Sequence, residues 1–175
     1  MLWLQSLNLD YAFWLTISAI FVLLLLSAFF SGSETALTAA SRGKLQTQAD
    51  KGSRGAARAL SITEDNERLI GSVLLGNNLV NILATSLATA LFTKLVGESS
   101  VALATLVMTV LVLIFAEVLP KTYAITNAER AAARVSAPIA LLVSIFDPIV
   151  SAVRKLVRGI LWLFGVRTSA DEPIL

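Results

Sequence analysis

The chain has 175 residues, 56% of them hydrophobic and 15% charged, with a formal net charge of +2 and neither Cys nor His. Its mean hydropathy is +0.77, which excludes an ordinary soluble domain. The missing residue types remove disulfides, Cys/His zinc sites, haem, thiol chemistry and the usual general base, so a bound metal would be held by oxygen and would be a hard cation such as Mg²⁺, Ca²⁺ or Na⁺.

Residues 1–10 read as an external lead-in, with Trp3 placed as an interfacial anchor. Tyr11–Phe30 then carries no Asp, Glu, Lys or Arg and is long enough to cross the hydrocarbon core. It lacks a basic leader and exceeds a signal-peptide core, so it reads as a retained helix. It runs into Phe30-Ser31-Gly32-Ser33-Glu34, where Gly32 lowers the cost of irregular backbone and the helix is expected to loosen. Residues 40–68 are polar and basic and read as short helices on the cytoplasmic face, with breaks at Gly43, Gly52 and Gly55.

Leu69–Thr93 is the second uncharged stretch and contains Gly76-Asn77-Asn78-Leu79-Val80-Asn81. Asn77 and Asn81 are four apart and share one helix face, while Asn78 points about 100° away. Amides inside a membrane helix either bond to neighbouring helices or line a polar site. Lys94 to Glu98 reads as a tight external turn. Ser99–Ala116 is the third uncharged stretch, and it ends on Glu117-Val118-Leu119-Pro120-Lys121. A carboxylate at membrane depth is costly unless paired, coordinated or hydrated, so Glu117 marks a functional site, with an ion pair to Lys121 one turn on as the structural alternative. Pro120 is expected to break the helix and free backbone carbonyl oxygens.

Val135–Phe146 is only 12 residues, contains Pro138 and ends at Asp147-Pro148, which suits a re-entrant or interfacial segment better than a span. Residues 149–164 are amphipathic, with Arg154, Lys155 and Arg158 opposite an apolar face, the pattern of a helix lying in the membrane surface. Thr168 to Pro173 reads as the start of a linker, where a soluble domain would begin. The expected fold is therefore an all-α membrane protein with three transmembrane helices (about 9–31, 69–93 and 99–119), short cytoplasmic helices and an amphipathic juxtamembrane region over about 133–165. Of 14 basic residues, 13 fall on one side of that arrangement. By the positive-inside rule the N-terminus is outside and the C-terminus cytoplasmic. A nucleic-acid role for these charges is unnecessary, since topology and lipid headgroups account for them.

The polar clusters all lie toward the inner ends of their spans. One cavity there would collect a hydroxyl, amides, a carboxylate and backbone carbonyls, a ligand set suited to Mg²⁺ or Na⁺. A single carboxylate undercompensates a divalent ion, and weak, releasable binding suits a transporter. A hydrolase finds no support, because no catalytic spacing is present.

These residues resemble a known family. Phe30-Ser31-Gly32-Ser33-Glu34-Thr35-Ala36, Leu75-Gly76-Asn77-Asn78-Leu79-Val80-Asn81 and Ala116-Glu117-Val118-Leu119-Pro120-Lys121 resemble, in order, motifs of the DUF21 transmembrane domain of CNNM/CorC magnesium transporters. The resemblance covers roughly residues 10 to 165, and residues 1–167 form the DUF21-like unit. It implies a homodimer in the bacterial inner membrane with three transmembrane helices per subunit and a juxtamembrane belt. It implies Na⁺-dependent Mg²⁺ export, not an enzyme activity, and a largely dehydrated Mg²⁺ held by Ser31, Asn77, Asn81 and Glu117. Gly32, Ser33, Pro120 and Tyr123 would support that site through nearby backbone oxygens. It further implies that residues 168–175 lead to cytoplasmic CBS domains in the full-length protein. Two readings compete with transport of Mg²⁺: a non-transporting membrane anchor or regulator, and a carrier of Na⁺ or another monovalent cation.

Overall fold

The computed structural model describes residues 2–167, with side chains from Asp10 onward; the Trp3 anchor and the linker from Thr168 lie outside the described side chains. Every regular element among the described residues is helical: α1 (Leu2–Ala39), α2 (Arg42–Asp50), α3 (Arg54–Glu64), α4 (Asn66–Val96), a 3-10 turn (Glu98–Ser100), α5 (Val101–Leu111), a π-helical segment (Val112–Val118), α6 (Leu119–Thr126) and α7 (Ala128–Leu163).

Local chemistry sets the boundaries. Ser41, Ser53 and Asp65 each accept a backbone N–H three residues on and so cap α2, α3 and α4. Gly52 and Gly97 adopt φ of +96° and +99° at the turns after α2 and α4, a region glycine enters without steric cost. Gly43 and Gly55 do not break helices as expected; both lie one residue inside a helix start. Gly55 instead permits a close crossing, since a Cβ there would sit 2.5 Å from the Ala133 carbonyl oxygen of α7.

The long helices wear their apolar residues outward. Phe21, Val22 and Leu25 of α1, Leu79 and Ile82 of α4, and Leu106 and Leu113 further on are all exposed, as lipid-facing side chains are. Buried contacts use small residues, Ala36, Ala84, Ala88, Ala104, Ala116 and Ala124 among them. Without a hydrophobic drive between helices in lipid, close packing of small residues and interhelical hydrogen bonds hold such a bundle together. The largest core lies at the end where α2 and α3 join α1 to α4, around Leu37, Leu45, Leu69, Val73, Ile139 and Val143.

Three sequence expectations need correction. First, α1 does not loosen at Ser31-Gly32 but continues to Ala39. Gly32 serves contact instead: a Cβ there would meet the Pro120 side chain at 3.3 Å and its carbonyl oxygen at 3.4 Å. Second, Pro120 does not break its helix. It occupies the first turn of α6, where a missing N–H is tolerated, and the irregularity lies upstream, in the π segment that carries Glu117. There the Leu119 N–H reaches back to the Ile114 carbonyl, five residues earlier, an extra residue per turn of the kind a π-bulge inserts.

Third, Val135–Phe146 and 149–164 are not separate pieces. They form one 36-residue helix with Pro138 and Pro148 inside it. Among the described residues four helices are therefore long and apolar enough to cross a membrane, against the three expected. The contacts of α7 describe its course. Near its start, Glu129 accepts the Ser41 N–H and pairs with Lys44. Midway, Phe146 approaches Gly76 and Phe30 also lies against that glycine. Farther on, Val150 meets Gly71, Arg68 bonds to Asp147, and Arg154 reaches Asp65 and Glu67. The Glu129 and Arg154 anchors of α7 thus sit at the α2–α3 end of the bundle, and the Phe146 contact lies farther along α4.

Candidate functional site: an intramembrane oxygen cluster

α1, α4 and the π segment converge on one carboxylate. Ser31 Oγ donates to Glu117 Oε2 at 3.2 Å, and Asn77 Nδ2 donates to Glu117 Oε1 at 3.1 Å. Ser27 Oγ donates to Asn77 Oδ1 at 2.7 Å, and Asn81 Nδ2 approaches the same oxygen at 3.5 Å. Lys121 Nζ lies 3.2 Å from Glu117 Oε2, one helical turn away. Ser27, Ser31 and Asn77 are buried, while Glu117 retains 26% of its side-chain exposure.

Helical spacing explains the convergence. Ser27 and Ser31 are four apart on α1, as are Asn77 and Asn81 on α4, so each pair presents two polar groups on one face. The π segment supplies the third side. Asn78 is exposed on a different face and lines a groove of about 780 Å³ between α4 and α7, remote from the carboxylate cluster. Glu117 and Asn81 together border a cavity of about 300 Å³ that continues between Thr85, Thr105 and Thr109.

All four sequence-named ligands are therefore neighbours: Ser31 and Asn77 touch Glu117 directly, and Asn81 joins through Asn77 and the shared cavity. The supporting residues divide. Gly32 and Pro120 bring α1 and α6 together beside the cluster. Ser33 is buried with its hydroxyl unpartnered, yet makes no hydrogen bond to the cluster. The Tyr123 side chain is exposed. Ser27 and the π geometry were missed. The first was signalled by its i, i+4 spacing to Ser31, and the second only by a proline three residues after a carboxylate.

Chemically the cluster is one carboxylate among neutral hydroxyl and amide groups, with the Lys121 ammonium paired to it. Among the described residues no group of three or more His, Cys, Asp and Glu side chains comes together. Asn81 Oδ1 is buried without a hydrogen-bond partner. An orphaned buried acceptor carries a desolvation cost of roughly 1–3 kcal/mol, which a water, an N–H or O–H donor or a hard cation would relieve. The donor set fits a hard, oxygen-loving ion.

Comparison with known proteins agrees with this architecture. Residues 18–175 match the model of the cyclin M transmembrane N-terminal domain, CNNM. The chain is 40% identical over 143 residues to the UPF0053 inner membrane protein YfjD of Escherichia coli, covering 82% of this chain and 33% of that protein. It is 32% identical over 163 residues to a UPF0053 protein of Haemophilus influenzae, covering 91% and 39%. It is 40% identical over 153 residues to a chloroplastic DUF21 domain-containing protein of Arabidopsis thaliana, covering 87% and 23%. The chain thus spans between about a quarter and two fifths of the length of these relatives. With its apolar, outward-facing helices and its match over residues 18–175, the chain belongs to the CNNM (DUF21) family of multi-pass membrane domains.

Proposed function

We propose that this domain binds Mg²⁺ inside the membrane and passes it across by alternating access, as a metal transporter and not as an enzyme. The observation that carries the reading is the meeting of Ser31, Asn77 and Glu117 within hydrogen-bond distance on three separate helical segments, with the unpartnered Asn81 oxygen beside them. Glu117 would supply the charge, Asn77 and Asn81 amide oxygens, and Ser31 a hydroxyl oxygen. For Asn77 to present its oxygen, the bond from Ser27 must yield or the amide must turn, since Oδ1 is engaged and Nδ2 faces the carboxylate.

Dependence on Na⁺ and assembly as a homodimer follow from family likeness and belong to the same proposal, as does regulation by further domains in a longer protein. The asymmetry of basic residues supports an external N-terminus. With both anchors of α7 at the α2–α3 end, α7 is read as a belt along the cytoplasmic face that dips into the membrane, which keeps the C-terminus inside.

The second reading is a non-transporting anchor, and one observation favours it: every Glu117 oxygen already has a protein partner, so the cluster serves as interhelical glue without an ion. Flux decides. Purified protein in proteoliposomes should carry Mg²⁺ down an imposed gradient, with and without opposing Na⁺, and Glu117→Gln should abolish it. A wild-type protein that moves no Mg²⁺ under either condition favours the anchor.

A further inference from the structure

We infer that Lys121 is a tethered counter-cation of the intramembrane site: its ammonium neutralises Glu117 when the site is unloaded and competes with Mg²⁺ for that carboxylate. The inference rests on the transport reading and assigns a role to a residue outside the ligand set.

The geometry is specific. Lys121 Nζ is 3.2 Å from Oε2, the oxygen that also accepts from Ser31. Oε1 is taken by Asn77. With these three donors the carboxylate is both neutralised and hydrogen-bonded, so the unloaded site has no uncompensated buried charge of the kind that is strongly destabilising. Lys carries three donors and no acceptor, so it can stand in for a cation but can never share in ligating one. A magnesium–oxygen bond is about 2.0–2.1 Å; the carboxylate has lone pairs for both an ion and a hydrogen bond, but an ammonium 3.2 Å from Oε2 repels a divalent ion arriving on the same carboxylate.

Displacement is feasible because of where the side chain lies. Lys121 is 44% exposed whereas Glu117 is 26% exposed. A flexible four-carbon stem lets its charge retreat toward water while the Cα stays fixed. The register is set by the chain itself: Pro120 packs against Gly32, and Lys121, four residues after Glu117, lies on the same helix face. Two consequences follow. The entering divalent ion brings one net positive charge in exchange for the ammonium, so binding is weaker than the bare oxygen cluster would give. When the ion leaves, the ammonium returns and prevents recapture, which is what a transport site requires.

The test compares wild type, Lys121→Met and Lys121→Arg in detergent and in proteoliposomes, reading the Mg²⁺ concentration for half-maximal thermal stabilisation and the rate of Mg²⁺ flux. Lys121→Met keeps the stem and loses the charge. It should bind Mg²⁺ about tenfold more tightly and release it more slowly, so that flux at saturating Mg²⁺ falls. Lys121→Arg should retain a half-saturating concentration close to wild type. A purely structural ion pair would move affinity the other way, because its loss loosens the cluster. Unchanged or weaker Mg²⁺ binding in Lys121→Met overturns the inference while leaving the site itself intact. No Mg²⁺ response in wild type would overturn both the transport reading and the role of Lys121.

Discussion

Asn77 and Glu117, 40 positions apart in the chain, meet through a 3.1 Å hydrogen bond from Nδ2 to Oε1. That contact links the middle of α4 to the π segment, and Ser31 attaches α1 to the same carboxylate. A helix bundle of apolar surface is thereby threaded by one polar knot. The following outcomes are expected from it.

Glu117→Gln removes the only charge in the ligand set while keeping its size. Mg²⁺-dependent thermal stabilisation should be lost, with affinity reduced at least about tenfold. A melting assay with graded Mg²⁺ reads this directly, and an unchanged shift would place the ion elsewhere.

Asn81→Ala and Asn78→Ala should differ. Asn81 borders the Glu117 cavity with an unpartnered oxygen, whereas Asn78 faces the groove beside α7. Losing Asn81 should weaken Mg²⁺ binding about fivefold, the scale of one lost polar interaction. Asn78→Ala should leave affinity near wild type. The reverse order in a titration would put the site on the wrong face of α4.

Gly55→Ala should destabilise the protein by roughly 1–3 kcal/mol, the usual cost of overpacking, because its Cβ would press on the Ala133 carbonyl oxygen. Gly43→Ala meets only Ser41 Oγ at 3.9 Å and should be neutral or slightly stabilising, since alanine favours a helix by about 0.5–1 kcal/mol. Melting temperatures of the two variants should move in opposite directions or differ clearly in size.

The course of α7 is open to cysteine labelling, because the chain has no native cysteine. Gln46→Cys on α2 and Gly159→Cys on α7 should react with a membrane-impermeant thiol reagent from the same side, and Ser99→Cys from the other. Labelling of Gly159→Cys together with Ser99→Cys would mean that α7 crosses.

Asp65 joins α4 to α7. The hydrogen bond from Arg154, followed by the Arg68 backbone N–H, holds its carboxyl below the ordinary value of 3.8. A depressed carboxylate contributes stability above its unfolded-state value and loses it as pH falls through the folded value. The α4–α7 contact should therefore weaken only below about pH 4, and Asp65→Asn should flatten that acid limb in pH-dependent melting. Asp65 is half exposed although Arg154 is largely covered, so solvent screening should hold the loss at neutral pH to a few tenths of a kcal/mol.

Much of this was legible before any fold was known. Uncharged stretches located α1, α4 and the helix leading to Glu117, and the i, i+4 rule put Asn77 and Asn81 on one face away from Asn78, while their assignment as ligands came from the family resemblance. The same reasoning failed where one residue type answers two demands. Gly32 and Pro120 look like helix breakers, yet in contact with each other they are packing surfaces between continuous helices. Asp147-Pro148 looked like a terminus, yet Asp147 is matched by Arg68 from another helix, and Pro148 only interrupts one backbone bond. Tertiary partners decide such cases, and a local window does not contain them. The π segment was hidden for the same reason, since its residues Val112 to Ala116 are ordinary apolar membrane residues.

The central claim is that a hard cation sits on the Glu117 carboxylate among the oxygens of Ser31, Asn77 and Asn81. Crystallographic anomalous scattering from protein prepared with Mn²⁺ in place of Mg²⁺ tests it most directly. A single peak is expected within about 2.0–2.3 Å of Glu117 and at least one of the two Asn oxygens, with Lys121 Nζ moved away. A peak elsewhere, or none at a Mn²⁺ concentration that stabilises the protein, would contradict it.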